Sequence, residues 1–397
     1  MVAPPLRPFV FKLGRIGDMV MLTAALRLLH ARYGKPCYVV GADAWAPDVY
    51  LGLPEVAQCW ALPRKAPTLL GLAWPAILRA LRESAPGPVY VFEHHGGQVR
   101  RIRRLLRLSG IDSGRCIFIA EAPGAESPWL DAVLRFSRQT PPAVSAADYP
   151  QARAPGAWRP RLAVTDSERA ERDRWLCSRG YRGQPLVLVQ PGNHRTMGRR
   201  RLRNWRGRDD KVWPVERWAQ LLHRVHARLP DAMLVLRGAA AEMPLLESIR
   251  AAAALPCVTS ASTALRPLFA LCEAAHSMIS ADSGPAHSAA ALGAPLVVLY
   301  GTQPPKVWLP RSSNGSPVLG VGGPPQFERA EQISVDAVFE AWCSLADAAA
   351  GAGRSAAADT DAAQAAAQAD FDPPPAPLST QTTSVRMEPS AFSSSVR

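Results

Sequence analysis

The segment that decides the fold is MISADSGPAHSAAALGAPLVVLYGT, residues 278–302, in which two short apolar runs flank a polar turn and a stretch of small residues. The runs at 278–280 and 295–300 have the length of buried strands. The residues between them favour a turn followed by a helix. A strand, a crossover helix and a second strand together predict a parallel βαβ unit.

The same alternation extends along most of the chain. In the first half it predicts strands at 8–13, 37–40 and 88–92 and a helix at 19–33. In the second half it predicts strands at 186–190 and 232–236 and helices that begin after Trp213-Pro214 and at 243–254, 265–275 and 335–345. Strands alternating with helices predict parallel sheets covered on both faces. We therefore expect an α/β protein with two Rossmann-like halves facing each other across a cleft.

Composition divides the chain into three predicted parts. We expect an N-terminal Rossmann-like domain over residues 1–160 and a C-terminal one over residues 161–347. Residues 121–161 are rich in Ala and Pro and suit a connection with irregular structure. Residues 348–397 repeat Ala, Ser, Thr, Pro and Asp without periodicity, which is typical of a disordered low-complexity tail.

Charge and apolar patterning indicate a cytoplasmic protein with an anionic partner. The apolar runs are too short to span a membrane, and residues 1–10 do not form a secretory signal. Seven scattered cysteines without a C-x-x-C pair are expected to be reduced thiols. The net charge of +13 favours nucleic acid, a membrane surface or a phosphorylated substrate, and charge alone does not choose among them.

The turn from Gly14 to Asp18 follows the first predicted strand. Ligands of parallel α/β sheets bind at the carboxyl ends of strands, where this turn lies. Asp18 could act there as a general base on an alcohol, or it could cap the helix, and the spacing gives both interpretations equal weight. The turn lacks the G-x-G-x-x-G pattern of dinucleotide-binding enzymes.

A second polar turn joins Asp282, Ser283, Gly284 and His287 after a later strand. Ser283 and Gly284 would offer a hydroxyl and backbone N–H groups to an anion at a helix N-terminus. The alternative is a simple helix cap with a satisfied histidine. The clustering of these residue types within one turn favours the functional interpretation.

Two further positions carry charge near predicted helix starts. Lys211 precedes the helix opened by Trp213-Pro214 and would suit a diphosphate. The arginines between residues 194 and 210 could clamp phosphate, although most are expected to be solvated. Glu242 follows a strand and could bind ribose hydroxyls or lie on the surface near a helix start.

A basic amphipathic helix is predicted at residues 98–108. Its arginines, Arg100 and Arg101 among them, alternate with leucines and an isoleucine. They could meet a phosphorylated lipid sugar or an anionic membrane leaflet. The alternative is a surface helix whose apolar side packs inward; we favour packing for the leucines and ligand contact for one or two arginines.

Six motifs together resemble glycosyltransferase family 9, the heptosyltransferases of bacterial lipopolysaccharide synthesis. They are Gly14-x-x-Gly17-Asp18, Pro191-Gly192, Lys211-x-Trp213-Pro214, Gly238-x-x-x-Glu242, Asp282-Ser283-Gly284-Pro285-x-His287 and Gly301-Thr302-x-Pro304. Their order and spacing match the family over most of residues 8–345. The resemblance implies a GT-B fold, with the acceptor bound by the N-terminal half and the nucleotide sugar by the C-terminal half. The stretch 194–210 is longer than the family pattern, which leaves the phosphate contacts and the donor open.

The resemblance also implies roles for the candidate residues. Asp18 would deprotonate the acceptor hydroxyl. The diphosphate of the donor would be held by Lys211 and by the backbone at Ser283 and Gly284. Glu242 would bind the ribose, and Asp282 would bind the sugar hydroxyls. His287 would support the loop that contains Asp282. Apart from the resemblance, the glycine turn and the basic helix predict that Gly17, Arg100 and Arg101 help to bind the acceptor. The reaction would be a single inverting displacement with no bound metal and no cofactor.

The resemblance therefore implies an inverting glycosyltransferase. Its expected donor is ADP-heptose, and its expected acceptor is a lipopolysaccharide core or a related anionic cell-envelope glycolipid. Peripheral contact with the inner membrane stays open. Two alternatives remain: a GT-B nucleotide-sugar epimerase, for which the pair His94-His95 is the supporting feature, and a basic nucleic-acid-binding protein, which no recognition motif supports.

Overall fold

The structure, a computed structural model, describes residues 3–63, 73–121, 128–151, 158–193, 196 and 209–345. Within these ranges the chain folds into two parallel sheets with helices on their faces. No helix in the described ranges is long and apolar enough to cross a bilayer.

The first sheet contains the strands of the N-terminal half, in the order β3-β2-β1-β4-β5. The strands are β1 Phe9–Lys12, β2 Cys37–Ala42, β3 Val56–Leu62, β4 Val89–Val91 and β5 Cys116–Phe118. The helices are α1 Ile16–Tyr33, α2 Ala46–Tyr50, α3 Trp74–Glu83, α4 Gly96–Leu108 and α5 Trp129–Ser137, with short 3-10 turns at Ser113–Arg115 and Ile119–Glu121. Every described strand pair is parallel, as the βαβ pattern predicts.

The second sheet has the order β11-β10-β9-β6-β7-β8 and is also parallel. Its strands are β6 Leu186–Gln190, β7 Met233–Gly238, β8 Val258–Ser262, β9 Ser277–Ala281, β10 Leu296–Tyr300 and β11 Val318–Gly322. Its helices are α6 Asp166–Cys177, α7 Val215–Arg228, α8 Met243–Ala253, α9 Leu265–Ala274, α10 Gly284–Ala291 and α11 Pro305–Trp308, followed by α12 at 335–345. Ala240–Glu242 and Ala330–Gln332 form 3-10 turns. These two sheets confirm the predicted α/β fold with two Rossmann-like halves.

The two halves share one apolar cluster, which contains Leu26 of α1, Phe269 of α9 and Ala290 of α10. Helices α1 and α10 pack against each other, so the turns that precede them lie close together. Both turns follow the carboxyl ends of parallel strands, which is the edge where ligands of such sheets bind.

The connection expected at residues 121–161 is only partly irregular. Helix α5 lies inside it and buries Leu130, Val133 and Leu134 in the shared apolar cluster. The abundance of Ala and Pro around this helix concealed its apolar face in the sequence. The segment therefore contributes to the core in addition to joining the halves.

Candidate active site at the junction of the two sheets

Two glycines allow the strand-to-helix turns of the two halves to touch. A Cβ atom on Gly17 would lie 2.7 Å from Cδ2 of His287, and one on Gly284 would lie 2.7 Å from Cβ of Ile16. Real Cβ atoms do not approach other heavy atoms this closely, so both positions require glycine. The contact brings the turn containing Asp18 and the turn containing Asp282 into one site.

Asp18 lies half-buried in the first turn of α1 and caps that helix. Its Oδ2 accepts a hydrogen bond of 2.9 Å from the backbone N–H of Arg15. The cap that the spacing left as one interpretation is therefore present. An ionised carboxylate has about four acceptor positions, so one such bond leaves capacity for a substrate hydroxyl.

Lys211 and Asp282 form a buried ion pair in the second half. The Lys211 ammonium donates to the Asp282 carboxylate and, over 3.3 Å, to the Asp282 backbone oxygen. Each side chain is about 10% exposed. The structure thus brings together the residue predicted to bind diphosphate and the residue predicted to bind sugar hydroxyls, and they neutralise each other.

Asp210 fixes the lysine loop beside the turn after β10. Its Oδ2 accepts hydrogen bonds from the Thr302 backbone N–H at 2.8 Å and from the Thr302 hydroxyl at 2.7 Å. The neighbouring Asp209 accepts from the backbone N–H of Lys211 at 3.2 Å. Sequence reasoning grouped both aspartates with the arginine-rich stretch 194–210, of which only Thr196, Asp209 and Asp210 lie within the described residues.

Glu242 is buried, with 4% of its surface exposed, which contradicts the surface alternative. One carboxylate oxygen accepts from the backbone N–H of Ala239 at 2.8 Å, and the other accepts from the Thr196 hydroxyl. The side chain packs against Gly192, which follows β6, and against Gly238, which ends β7. Glu242 therefore lies at the carboxyl edge of the second sheet.

His287 is 7% exposed and lies between the two turns. Burial lowers the pKa of His287, the carboxylates of Asp282 and Asp18 oppose this shift, and the Lys211 ammonium adds to it. A lowered pKa means that the imidazole is neutral at neutral pH. The neutral His287 therefore adds no charge between the two turns.

This shift predicts a pH dependence of stability. The folded pKa of His287 lies below the ordinary histidine value of 6.5, so its contribution to stability is complete above that pH and is lost as the pH falls through the folded pKa. We expect the free energy of unfolding to fall less between pH 7 and pH 5 in His287→Gln than in the wild type. The slopes should differ by up to about 1.4 kcal/mol per pH unit.

Denaturant titrations at several pH values test this expectation. The matched control is His223→Gln, since His223 lies on an exposed position of α7. The control should follow the wild-type slope. Parallel curves for wild type and His287→Gln would show that His287 binds protons equally in both states.

The sequence analysis missed a polar group at the carboxyl ends of β1 and β4. Lys12 is 2% exposed and donates to the backbone oxygen of Phe92 over 3.2 Å. Glu93 is buried and accepts from the backbone N–H of Leu13. Burial raises the pKa of Glu93, and the Lys12 ammonium opposes that rise. The signal was available, because Lys12 lies near the end of the strand predicted at 8–13 and Glu93 follows the strand predicted at 88–92.

The basic helix is α4, and its arginines have different environments. Arg100 is exposed, whereas Arg101 donates to the backbone oxygen of Pro63 over 3.3 Å, and burial lowers the pKa of Arg101. The prediction that the leucines pack inward is correct for Leu105 and Leu106 and wrong for Leu108, which is 61% exposed. Leu108 is the last residue of α4, where the helix leaves the core.

Each Rossmann-like half is built on a parallel sheet, and polar turns at the carboxyl edges of the two sheets meet. This arrangement is typical of the GT-B fold. Residues 204–334 match the model of glycosyltransferase family 9 (heptosyltransferase). The match contains four of the six motifs, from Lys211 to Pro304, and supports the resemblance and a glycosyltransferase. No curated protein sequence matches the chain significantly.

Solved structures share the fold at low sequence identity. ADP-heptose lps heptosyltransferase II of E. coli is 22% identical, with a TM-score of 0.63 over 86% of this chain and 98% of that chain. The glycosyl transferase family 9 protein from Veillonella parvula DSM 2008 is 18% identical, with a TM-score of 0.67 over 87% and 98%. E. coli heptosyltransferase WaaC, solved with ADP, is 18% identical, with a TM-score of 0.56 over 84% and 98%.

Proposed function

We propose that the protein transfers heptose from ADP-heptose to a lipopolysaccharide-core or related cell-envelope glycan. The observation that carries the proposal is the junction at which Asp18 of one half lies near His287, Asp282 and Lys211 of the other. A carboxylate on one side and a cation with a helix N-terminus on the other are the groups needed for base-assisted transfer from a diphosphate. The similar structures solved with ADP and with ADP-2-deoxy-2-fluoro heptose support ADP as the nucleotide.

The chemistry is a single displacement at the anomeric carbon. Asp18 takes the proton of the acceptor hydroxyl as its oxygen bonds to the anomeric carbon. The bond from that carbon to the diphosphate oxygen breaks, its electron pair leaves with ADP, and the configuration inverts. Lys211 and the backbone N–H groups at Ser283 and Gly284 stabilise the charge that develops on the diphosphate.

The remaining candidate residues bind and orient the substrates. When the donor binds, Glu242 gives up the hydrogen bond from Thr196 and accepts from ribose hydroxyls. Asp282 gives up the hydrogen bond from Lys211 and accepts from hydroxyls of the transferred sugar. Gly17, whose missing side chain lets His287 approach, contributes its backbone to the acceptor site. On α4, Arg100 and Arg101 attract an anionic acceptor, and the whole reaction takes place in the cytoplasm with α4 towards the inner membrane.

The domain roles belong to the same proposal. Residues 1–160 bind the acceptor, and residues 161–347 bind the nucleotide sugar. The residues proposed to hold the donor, Lys211, Glu242, Asp282, Ser283, Gly284 and His287, all lie around the second sheet.

Thermal unfolding with ADP-, UDP- and GDP-sugars tests the donor assignment. A ligand that binds only the folded state stabilises it, by about 2.7 kcal/mol at 100 times its Kd. We expect a clear rise in Tm with ADP and ADP-heptose and none with the other nucleotides. A rise with UDP-sugars alone would favour the epimerase. Stabilisation by nucleic acid, but by no nucleotide sugar, would favour the nucleic-acid-binding alternative.

A further inference from the structure

Three aromatic side chains from both halves come together beside the proposed catalytic base. They are His94, which follows β4, Trp129, the first residue of α5, and Trp308, the last residue of α11. The ring centroids of Trp129 and Trp308 are 6.3 Å apart and their planes are tilted by 32°. The His94 ring meets Trp129 edge-on at 5.1 Å. We call these three residues the aromatic platform.

The platform is open to a ligand, unlike the aromatic residues of the core. Trp129 and Trp308 are half-buried and His94 is exposed. In the core, by contrast, the rings of Trp213 and Trp342 are buried, and their indole N–H groups donate to Ile333 and Ser277. Partly exposed aromatic rings that line a cleft are the usual apolar component of a small-molecule site.

Trp129 also carries an unused hydrogen-bond donor. Its Nε1 is shielded from solvent and has no hydrogen-bond partner among the residues that the structure describes. A buried indole N–H normally finds an acceptor, and an unpaired one calls for a missing partner. A ligand hydroxyl lying on the platform could supply that acceptor.

Lys12 connects the platform to Asp18. Its ammonium lies 5.1 Å from the centroid of the Trp129 ring, within the range of a cation–π contact. The same side chain runs beside Gly14, where an added Cβ would lie 2.6 Å from Lys12 Cε and 2.9 Å from Asp18 Oδ2. The platform and the proposed base are thus separated by a single lysine side chain.

We propose that the aromatic platform binds a sugar ring of the acceptor and orients it towards Asp18. The inference rests on the function proposed above and adds an acceptor subsite to it. A sugar ring has an apolar C–H face that packs on aromatic rings and hydroxyls that accept from an indole N–H. The donor residues Lys211 and Glu242 lie around the second sheet, whereas His94 and Trp129 belong to the first half, so an acceptor fits better than the nucleotide base.

Steady-state kinetics in which each substrate is varied separately test the role of the platform. The variants are Trp308→Ala, which removes a ring, and Trp129→Phe, which keeps a ring but removes the N–H donor. The substrates are ADP-heptose and lipid-free core oligosaccharide released from lipopolysaccharide. We expect the KM for the oligosaccharide to rise about tenfold in Trp308→Ala and about threefold in Trp129→Phe. The KM for ADP-heptose should not change in either variant.

Trp158→Phe is the matched control. Trp158 is also half-buried, its Nε1 also lacks a partner in the described part of the chain, and it stacks under Arg27 instead of lining the junction. The control should keep both KM values. An unchanged oligosaccharide KM in the two platform variants would overturn the proposal, as would a rise in the KM for ADP-heptose alone.

A binding measurement separates failure of the platform from failure of the proposed function. Oligosaccharide is titrated into the protein without donor, and tryptophan fluorescence is followed. A saturable change in the wild type that is lost in Trp308→Ala supports the platform even if no heptose is transferred. Transfer activity combined with equal fluorescence titrations in wild type and both variants overturns the platform and leaves the transferase proposal standing.

Discussion

Asp18→Asn is expected to lower kcat by about 10²–10⁴-fold, the usual contribution of a general base. The amide cannot accept the acceptor proton, so the displacement loses its base. Donor binding should persist, because the proposed donor residues Lys211, Glu242 and Asp282 are unchanged. Stability should change little, since an asparagine oxygen can still accept from the backbone N–H of Arg15.

Steady-state kinetics and ADP-dependent thermal shifts measure the two parts of this expectation. Asp166→Asn is the matched control, because Asp166 is also a first-turn carboxylate, in α6, and its side chain is 99% exposed. The control should keep wild-type kcat. Near-normal transfer by Asp18→Asn would show that Asp18 is a helix cap and that another group takes the proton.

Lys211→Met is expected to remove ADP binding and to lower the free energy of unfolding by about 3–5 kcal/mol, the usual cost of leaving one member of a buried ion pair unpaired. Both side chains of the pair are about 10% exposed, so water cannot fully solvate the Asp282 carboxylate left behind. Loss of the ammonium also removes the charge proposed to hold the diphosphate. Denaturant titration and calorimetric ADP titration measure the two effects.

The double variant Lys211→Met/Asp282→Asn separates stability from binding. With both charges removed, no unpaired charge is buried, and most of the lost stability should return. ADP affinity should stay low, because the cation is still missing. Recovery of ADP binding in the double variant would contradict the role proposed for Lys211, and a stable single variant would show that the pair is well solvated.

The strands that the sequence predicts correctly are the ones buried in the interior of a sheet. The predicted strands correspond to β1, β2, β4, β6, β7, β9 and β10, which lie inside the two described sheets. The missed strands are β3, β5, β8 and β11, which lie at the sheet edges. Interior strands of a parallel sheet are covered on both faces and appear as apolar runs, whereas edge strands are partly exposed and carry mixed residues. Val258–Ser262, with three hydroxyl side chains, is such an edge strand.

The sequence by itself determined the fold class and the local motifs. The turn at Gly14–Asp18 and the turn that begins at Asp282 each lie within a few residues of a strand and a helix, so local pattern was enough to find them. Family resemblance added the expected roles of these residues. None of this required knowing how the halves pack.

Only the tertiary structure decided which side chains meet. Lys211 pairs with Asp282 across 71 residues, and Lys12 bonds to Phe92 across 80. Trp129 and Trp308 come from different halves and lie near each other because helices α1 and α10 pack the two sheets together. Burial in a folded core makes such contacts specific, and no periodicity in the chain encodes a partner that far away.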